Sequence, residues 1–270
     1  MRTPSSMKRL VIAAFLFPMI SAASNPVWQD EFNQPVGTGP DPAKWVYDLG
    51  DNGWGNKELQ AYTSSRENSF VVADPDATDG RALVLKAVRD PAGGYTSARL
   101  RTQGKFSTGY GRIEARLKLP QGQGIWPAFW MLGANIAEVP WPACGEIDIV
   151  ELIGHQPGTL YGTLHGPGYS GQHGINQFTL LPSGEIFADA YHVFAVEWRR
   201  GRIEWLLDGK IYHRLTPADL PPGTKWVFDD AKFFLLLNLA VGGLWPGYPD
   251  ATTKFPQEYR IDYVRVYRHE

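Results

Sequence analysis

"YHVFAVEWRRGRIEWLLDGKIYHRL", Tyr191 to Leu215, decides the fold. It reads as three short strands broken at Arg200-Gly201 and at Asp208-Gly209. The second break suits a type I′ hairpin, whose central residues both take positive φ. Working outward, "YGRIEARLKLP" (Tyr110–Pro120) alternates Ile113, Ala115, Leu117 and Leu119 with Arg112, Glu114, Arg116 and Lys118. A period of two is a half-buried strand. "FFLLLNLAVGG" (233–243) and "YRIDYVRVYR" (259–268) add two more. Turn residues are spread between these runs. There is no internal repeat, no low-complexity tract, and no amphipathic helix of any length after the N-terminal leader. Many short strands with turns between them predict an all-β fold, one sandwich or barrel of antiparallel sheets.

The chain has 270 residues and is 43% hydrophobic, the make-up of a globular domain. Its N-terminus reads differently. Arg2, Lys8 and Arg9 precede the apolar run "LVIAAFLFPMI" (Leu10–Ile20), and "SAAS" follows. A charged segment, a short apolar segment and a small-residue cleavage site make a secretory signal peptide, too short to span a membrane as a helix. Residues 1–23 are expected to be removed, leaving one domain over 24–270, secreted to the periplasm or the medium. The formal net charge of −2 becomes more negative without those three basic residues. With no basic run longer than a pair, neither nucleic acid nor an anionic membrane is an expected partner. A monomer is expected. The lone cysteine, Cys144, can form no internal disulfide. With no Cys/His pair in view, it reads as a small buried hydrophobe.

"GEIDIVELIG" (Gly145–Gly154) carries three carboxylates on an apolar run. Residues two apart on a strand share a face, so Glu146 and Asp148 point together. Glu151, five from Glu146, belongs to the other face unless a one-residue β-bulge after Asp148 turns it back. The glutamate Cα atoms then stand roughly 13 Å apart. Side chains leaning together across a curved sheet can close that to the roughly 5–5.5 Å carboxyl separation of a retaining glycosidase. Three acids on one face repel when ionised, so a chain selected only for stability would not choose them. They make sense if one is held protonated while another attacks. On spacing alone three readings stay open: catalysis, a structural Ca²⁺ site, or a solvated edge. Ile147, Ile149 and Val150 look like a buried back face, which speaks against an edge.

With "GEIDIVE", the segments "GIWPAFWMLG" (124–133), "NKELQAYT" (56–63), "SARLRTQGKFSTGYGRIEARLKLP" (97–120), "GTLHG" (162–166) and "LNLAVGGLWPG" (237–247) resemble glycoside hydrolase family 16. The nearest likeness is to its bacterial endo-β-1,3-glucanases, the laminarinases. It runs from about Val27 to Tyr267 with the motifs in the family's order. The resemblance implies a β-jelly-roll sandwich of two antiparallel sheets with a concave substrate cleft, and a secreted enzyme that cleaves β-1,3-glucan with retention and needs no organic cofactor. It implies Glu146 as nucleophile, Glu151 as acid/base and Asp148 as the assisting acid between them. Val150, where Met is frequent, and Leu244, where Asn is frequent, depart from the pattern. Alternatives on the same fold are a mixed-linkage glucan or marine galactan hydrolase, or a non-catalytic β-glucan-binding protein.

The resemblance also implies sugar contacts. Trp126 and Trp130, four apart on one strand face, match residues lining the glycone side; without the family, both would read as core. Arg99 and Asn56 match positions that bind sugar hydroxyls. His165 matches a residue near the leaving-group side, and Trp245 is read as a cleft wall. Trp198 and Trp205 are expected in the core. "DPDATDG" (Asp74–Gly80) fails the spacing of an EF-hand loop and reads as a turn. The family often carries a structural Ca²⁺ on the convex side, and Glu31, Asp262 and the Gly80 carbonyl match its ligands.

Overall fold

Asp208 and Gly209 take φ of 48° and 78°, the primed-turn geometry that joins two of the three expected strands. The computed structural model describes residues 25–229 and 231–269. The leader expected over 1–23 lies outside the described residues. In chain order the strands are β1 (Trp28–Asp30), β2 (Val46–Asp48), β3 (Gln60–Tyr62), β4 (Ser69–Ala73), β5 (Arg81–Arg89) and β6 (Tyr95–Ser97). Then come β7 (Arg99–Arg101), β8 (Gly111–Lys118), β9 (Ile125–Gly133), β10 (Glu146–Glu151), β11 (Thr159–His165) and β12 (Ile175–Leu180). The last five are β13 (His192–Arg199), β14 (Arg202–Leu207), β15 (Lys210–Leu215), β16 (Phe233–Val241) and β17 (Gln257–Tyr267).

They form a jelly-roll sandwich. One sheet runs β15-β14-β13-β8-β17-β5-β6-β3, with β1 on β17 and β4 on β5. The other runs β12-β11-β10-β9-β16-β7-β2. The expected antiparallel pairing holds except between β3 and β6, which pair in parallel. One continuous core fills the space between the sheets, and Trp198 and Trp205 are both fully buried in it. β16 is buried along its whole length. Its core side carries Phe233, Leu235, Leu237, Leu239 and Val241. On the cleft side Phe234 and Leu236 pack with Leu132 and Cys144 in a second cluster, joined by Ile136 and Val139 from the segment between β9 and β10. That segment therefore closes one end of the concave sheet, and Cys144 serves there as a small hydrophobe.

The outer face of the first sheet is a charge lattice. Arg265 faces Glu114, Arg112 faces Glu197, Glu197 faces Glu204 and Glu204 faces Arg214 across successive ladders. The residues matched to a calcium site belong to this lattice. Both oxygens of Glu31 accept from Arg265, at 2.8 and 2.7 Å. Asp262 accepts from the Thr78 amide at 3.1 Å, from its hydroxyl at 2.7 Å, and from Arg116. The Gly80 carbonyl accepts from the Asp74 amide at 3.0 Å and closes the 74–80 turn between β4 and β5. A hard cation needs convergent free oxygens. Here two guanidinium groups take that place, so these residues do not fit a calcium cage.

Candidate active site

The two ladders of β10 locate the extra residue. Toward β9, Asp148 faces Trp130 and Val150 faces Phe129, which leaves Ile149 without a partner. Toward β11, Asp148 faces Thr163 and Glu151 faces Tyr161, so Ile149 and Val150 share Gly162. This is the bulge that parity required. Ile147, Ile149 and Val150 all lie in the core. Each fully buried aliphatic side chain is worth about 1.5–3 kcal/mol. A one-residue slip would expose them and bury an acid in their place, so the core enforces the arrangement. At the bulge the Asp148 carbonyl accepts from Trp205 Nε1 at 2.7 Å, across the sandwich.

On the concave face the three acids meet few compensating charges. Glu146 Oε2 accepts from Trp141 Nε1 at 2.6 Å. Glu151 accepts from Trp126 Nε1 at 3.3 Å and from the Thr163 hydroxyl at 3.2 Å. His165, directly across the ladder from Glu146, brings Nε2 to 3.3 Å from Asp148 Oδ2. Burial, then the charge of Asp148, pushes Glu146 up to about 8, although His165 and Trp141 pull it back. Burial is also the main cause at Glu151, pushed up to about 7, with Glu146 adding to it and His165, Thr163 and Trp126 opposing. Burial and the charge of Glu151 hold Asp148 well above the usual carboxylate range. Groups this close titrate as a unit and retain protons near neutral pH. The cluster can therefore offer a proton and an ionised carboxylate together, which general acid catalysis and nucleophilic attack need side by side. Glu146, Asp148 and His165 also hold ligand atoms within 4.8 Å of one another, close enough to grip a metal ion.

The walls come from neighbouring strands. Trp126 sits beside Glu151, and Trp130 lies opposite Asp148 on β9. Trp130 Nε1 donates to Asn238 at 2.7 Å, and Asn238 donates to Tyr62 at 3.2 Å. Tyr62 donates to Glu58 at 3.3 Å, which also accepts from Gln60 at 2.7 Å and Asn56 at 3.1 Å. Asn56 thus reaches the cleft through a buried network whose acid, Glu58, is raised by burial. Arg99 lies between the rings of Trp54 and Trp130, 4.8 and 4.9 Å from their centroids. Its Nε donates to Asp48 at 2.9 Å. Trp245 meets Trp126 edge-on at 5.6 Å and Tyr161 at 5.0 Å, so it walls the cleft beside Glu151. The structure brings all six residues expected to touch sugar to the concave side. His165 stands opposite Glu146, not on the Glu151 side alone.

Five further residues escaped the sequence reading: Trp54, Glu58, Trp141, Tyr161 and Thr163. Trp141 had a signal, an aromatic five residues before the first acid. Thr163 had one too, since "GTLHG" places it two residues from His165 on the same face. Glu58 had none, because only the fold brings Asn238, and through it Trp130, to the Tyr62 hydroxyl that Glu58 holds.

A two-sheet sandwich with an aromatic-walled concave face and paired, proton-retaining carboxylates on its floor has the form of a glycoside hydrolase. Residues 59–265 match the model of the glycosyl hydrolases family 16. The beta-glucanase of Rhodothermus marinus is 42% identical over 90% of this chain and 84% of its own length. The glucan endo-1,3-beta-glucosidase A1 of Niallia circulans is 39% identical over 92% of this chain, which spans 38% of that longer protein. Among solved structures, the laminarinase catalytic domain of Thermotoga maritima superposes with a TM-score of 0.82 at 49% identity, over 92% of this chain and 99% of that one. The chain belongs to glycosyl hydrolases family 16.

Proposed function

We propose that this chain is a secreted, endo-acting, retaining hydrolase of β-1,3-glucosidic linkages in laminarin-type glucans. The observation that carries this reading is the bulged β10 strand, which turns Glu146, Asp148 and Glu151 to one cleft face while its aliphatic residues stay in the core. The names of the relatives support the linkage, and the N-terminal sequence supports export. Glu151 protonates the glycosidic oxygen as Glu146 attacks the anomeric carbon, so the leaving sugar departs neutral and a glycosyl ester forms on Glu146. Water then attacks the anomeric carbon, Glu151 takes its proton, and Glu146 departs as carboxylate. Asp148 shares a proton with Glu146. When Glu146 must be ionised to attack, Asp148 holds that proton, with His165 against its other side. Trp126, Trp130 and Trp245 offer flat apolar faces to pyranose rings, while Arg99 and Asn56 supply donors at the rim.

The test is digestion of laminarin by the mature chain, followed by ¹H NMR of the first anomeric product and sizing of the polymer. A β-anomer first, with a rapid fall in polymer length, is expected. Activity on agarose, carrageenan or lichenan with none on laminarin would overturn the linkage, and an α-anomer would overturn retention.

A further inference from the structure

A bulge leaves backbone groups without ladder partners, and a buried carbonyl without a partner costs about 1–3 kcal/mol. At the β10 bulge the Asp148 carbonyl has a partner in the opposite sheet. Trp205 of β14 is fully buried, and its indole N–H reaches the carbonyl at 2.7 Å. The approach needs a missing side chain. A Cβ on Gly162, the residue facing the bulge, would lie 2.5 Å from Trp205 Cδ1 and 2.6 Å from the Tyr212 hydroxyl. The indole is also held from behind: His213 stacks on it at 4.7 Å and 27°. Burial lowers His213 to about 4, so the ring stacked there is neutral near pH 7. The β14–β15 register shifts at this point as well, between Trp205 and Leu206. Buried tryptophans commonly satisfy their N–H. Trp198 does so by donating to the Phe228 carbonyl at 3.1 Å, away from the acids. What sets Trp205 apart is its acceptor, the residue where Glu151 is turned back to the face of Glu146.

We propose that Trp205 is a positioning residue: its indole N–H clamps the Asp148 carbonyl from the opposite sheet and fixes how Glu146 and Glu151 face each other. This rests on the reading of those two acids as the catalytic pair. Without the clamp, the extra residue is shared between Ile149 and Val150 in more than one way, and the Glu151 carboxyl loses its set height above the floor. The titratable groups facing the pair are Asp148 on the same strand, His165 on β11, Tyr212 on β15 behind Glu151, and Cys144 beside Glu146. Trp205→Phe replaces none of these groups, and His213 is the titratable neighbour of the indole itself, so a variant that keeps the stacked ring and loses only the N–H ties a shifted titration to geometry.

The experiment compares Trp205→Phe with Trp198→Phe, each of which removes one buried indole N–H from the same sheet. Both are expected to lower Tm. Only Trp205→Phe is expected to lower kcat on laminarin, by roughly ten- to a hundredfold, the scale of an ångström of misplacement. KM should stay within about twofold, because the sugar walls lie on other strands. The pH profile of kcat/KM should move with it. Placing 3-benzothienylalanine at 205 keeps the shape and removes only the donor, so it decides the matter if the phenylalanine variant does not fold. Wild-type kcat and pH profile in the variant at 205, with a Tm loss like that of Trp198→Phe, would overturn the proposal. The ¹³C carboxyl titration of Glu146 and Glu151 needs no substrate. If the wild type cleaves no glucan, the functional reading fails. The clamp still stands if that titration moves in the 205 variant and not in the 198 variant, and falls if it moves in neither.

Discussion

The two outer faces of the sandwich treat buried carboxylates in opposite ways. On the convex sheet Glu114, Glu197 and Glu204 are 7%, 4% and 6% exposed. Each has an arginine: Arg112 bridges Glu114 and Glu197, at 2.7 and 3.0 Å, and Arg214 holds Glu204. On the concave sheet Asp148 is 2% exposed and has a histidine at 3.3 Å. Burial is alike, so burial is not the difference; the partner is. At Asp74, in the turn leading into β5, burial alone would raise the carboxyl, but Arg260 and Tyr191 outweigh it and hold it low. At Glu146 and Glu151 nothing outweighs burial, and both go up. Carboxylates each paired with an arginine hold a face together, whereas acids left without such partners keep protons that a reaction can use.

The comparison breaks hardest at Glu146 and Glu151, the proposed catalytic pair. Glu151→Gln is expected to cut kcat on laminarin by about 10²–10⁴-fold, the usual worth of a general acid, and to cost far less on a substrate with an activated aryl leaving group. Glu146→Ala, given such a substrate and azide, should yield an α-glycosyl azide by a single inversion. Glu151→Ala should yield the β-azide by two. Product stereochemistry read by NMR checks the assignment, and the opposite pattern reverses it.

The next effect lies on the convex face. Arg116→Met leaves Asp262 buried beside Thr78 without its cation. Stripping one partner from a buried pair costs about 3–5 kcal/mol. Since Arg116 keeps a side chain 26% exposed, a value near 3 kcal/mol is expected in urea unfolding. The pH profile of activity should not move. Replacing both, as Arg116→Met with Asp262→Leu, should restore most of the loss.

The concave acids should show the reverse sign. Their folded pKa values, about 8 and about 7, lie above the ordinary 4.5, so the native state holds protons that the unfolded chain releases. Their contribution is fully present below about pH 4.5 and is lost as pH rises through 7 to 8. Glu146→Gln removes that penalty, so it should be more stable than wild type at pH 8 by about 2–4 kcal/mol, a gain shrinking toward pH 4.5. Denaturant midpoints across that range measure it. A gain that grows toward low pH would contradict the raised value.

The smallest effect concerns calcium. With Arg265 on Glu31 and Arg116 on Asp262, excess chelator should leave Tm unchanged. A fall of several degrees, reversed by added Ca²⁺, would mean that the arginines yield to an ion.

Much of this was legible in the chain, because strands advertise themselves locally. Period-two alternation over 110–120, the Asp208-Gly209 turn and the aliphatic back of β10 each state a pairing or a face without reference to anything distant. Parity set the condition for the bulge: acids at an odd interval share a strand face only if one extra residue lies between them. The three carboxylates are an equally local signal. What the chain could not display is which groups meet across long separations. Trp205 reads as core, and only the packing of one sheet on the other shows its N–H on the Asp148 carbonyl. Glu58 joins Trp130 through Tyr62 and Asn238, and two of the three links span 176 and 108 residues of chain. Glu31 and Asp262 carry oxygens that suit a cation, and the arginines that reach them first stand elsewhere in the sequence. Periodicity is a property of neighbours along the chain. The partner of a buried polar group, and so the state of its proton, belongs to neighbours in space.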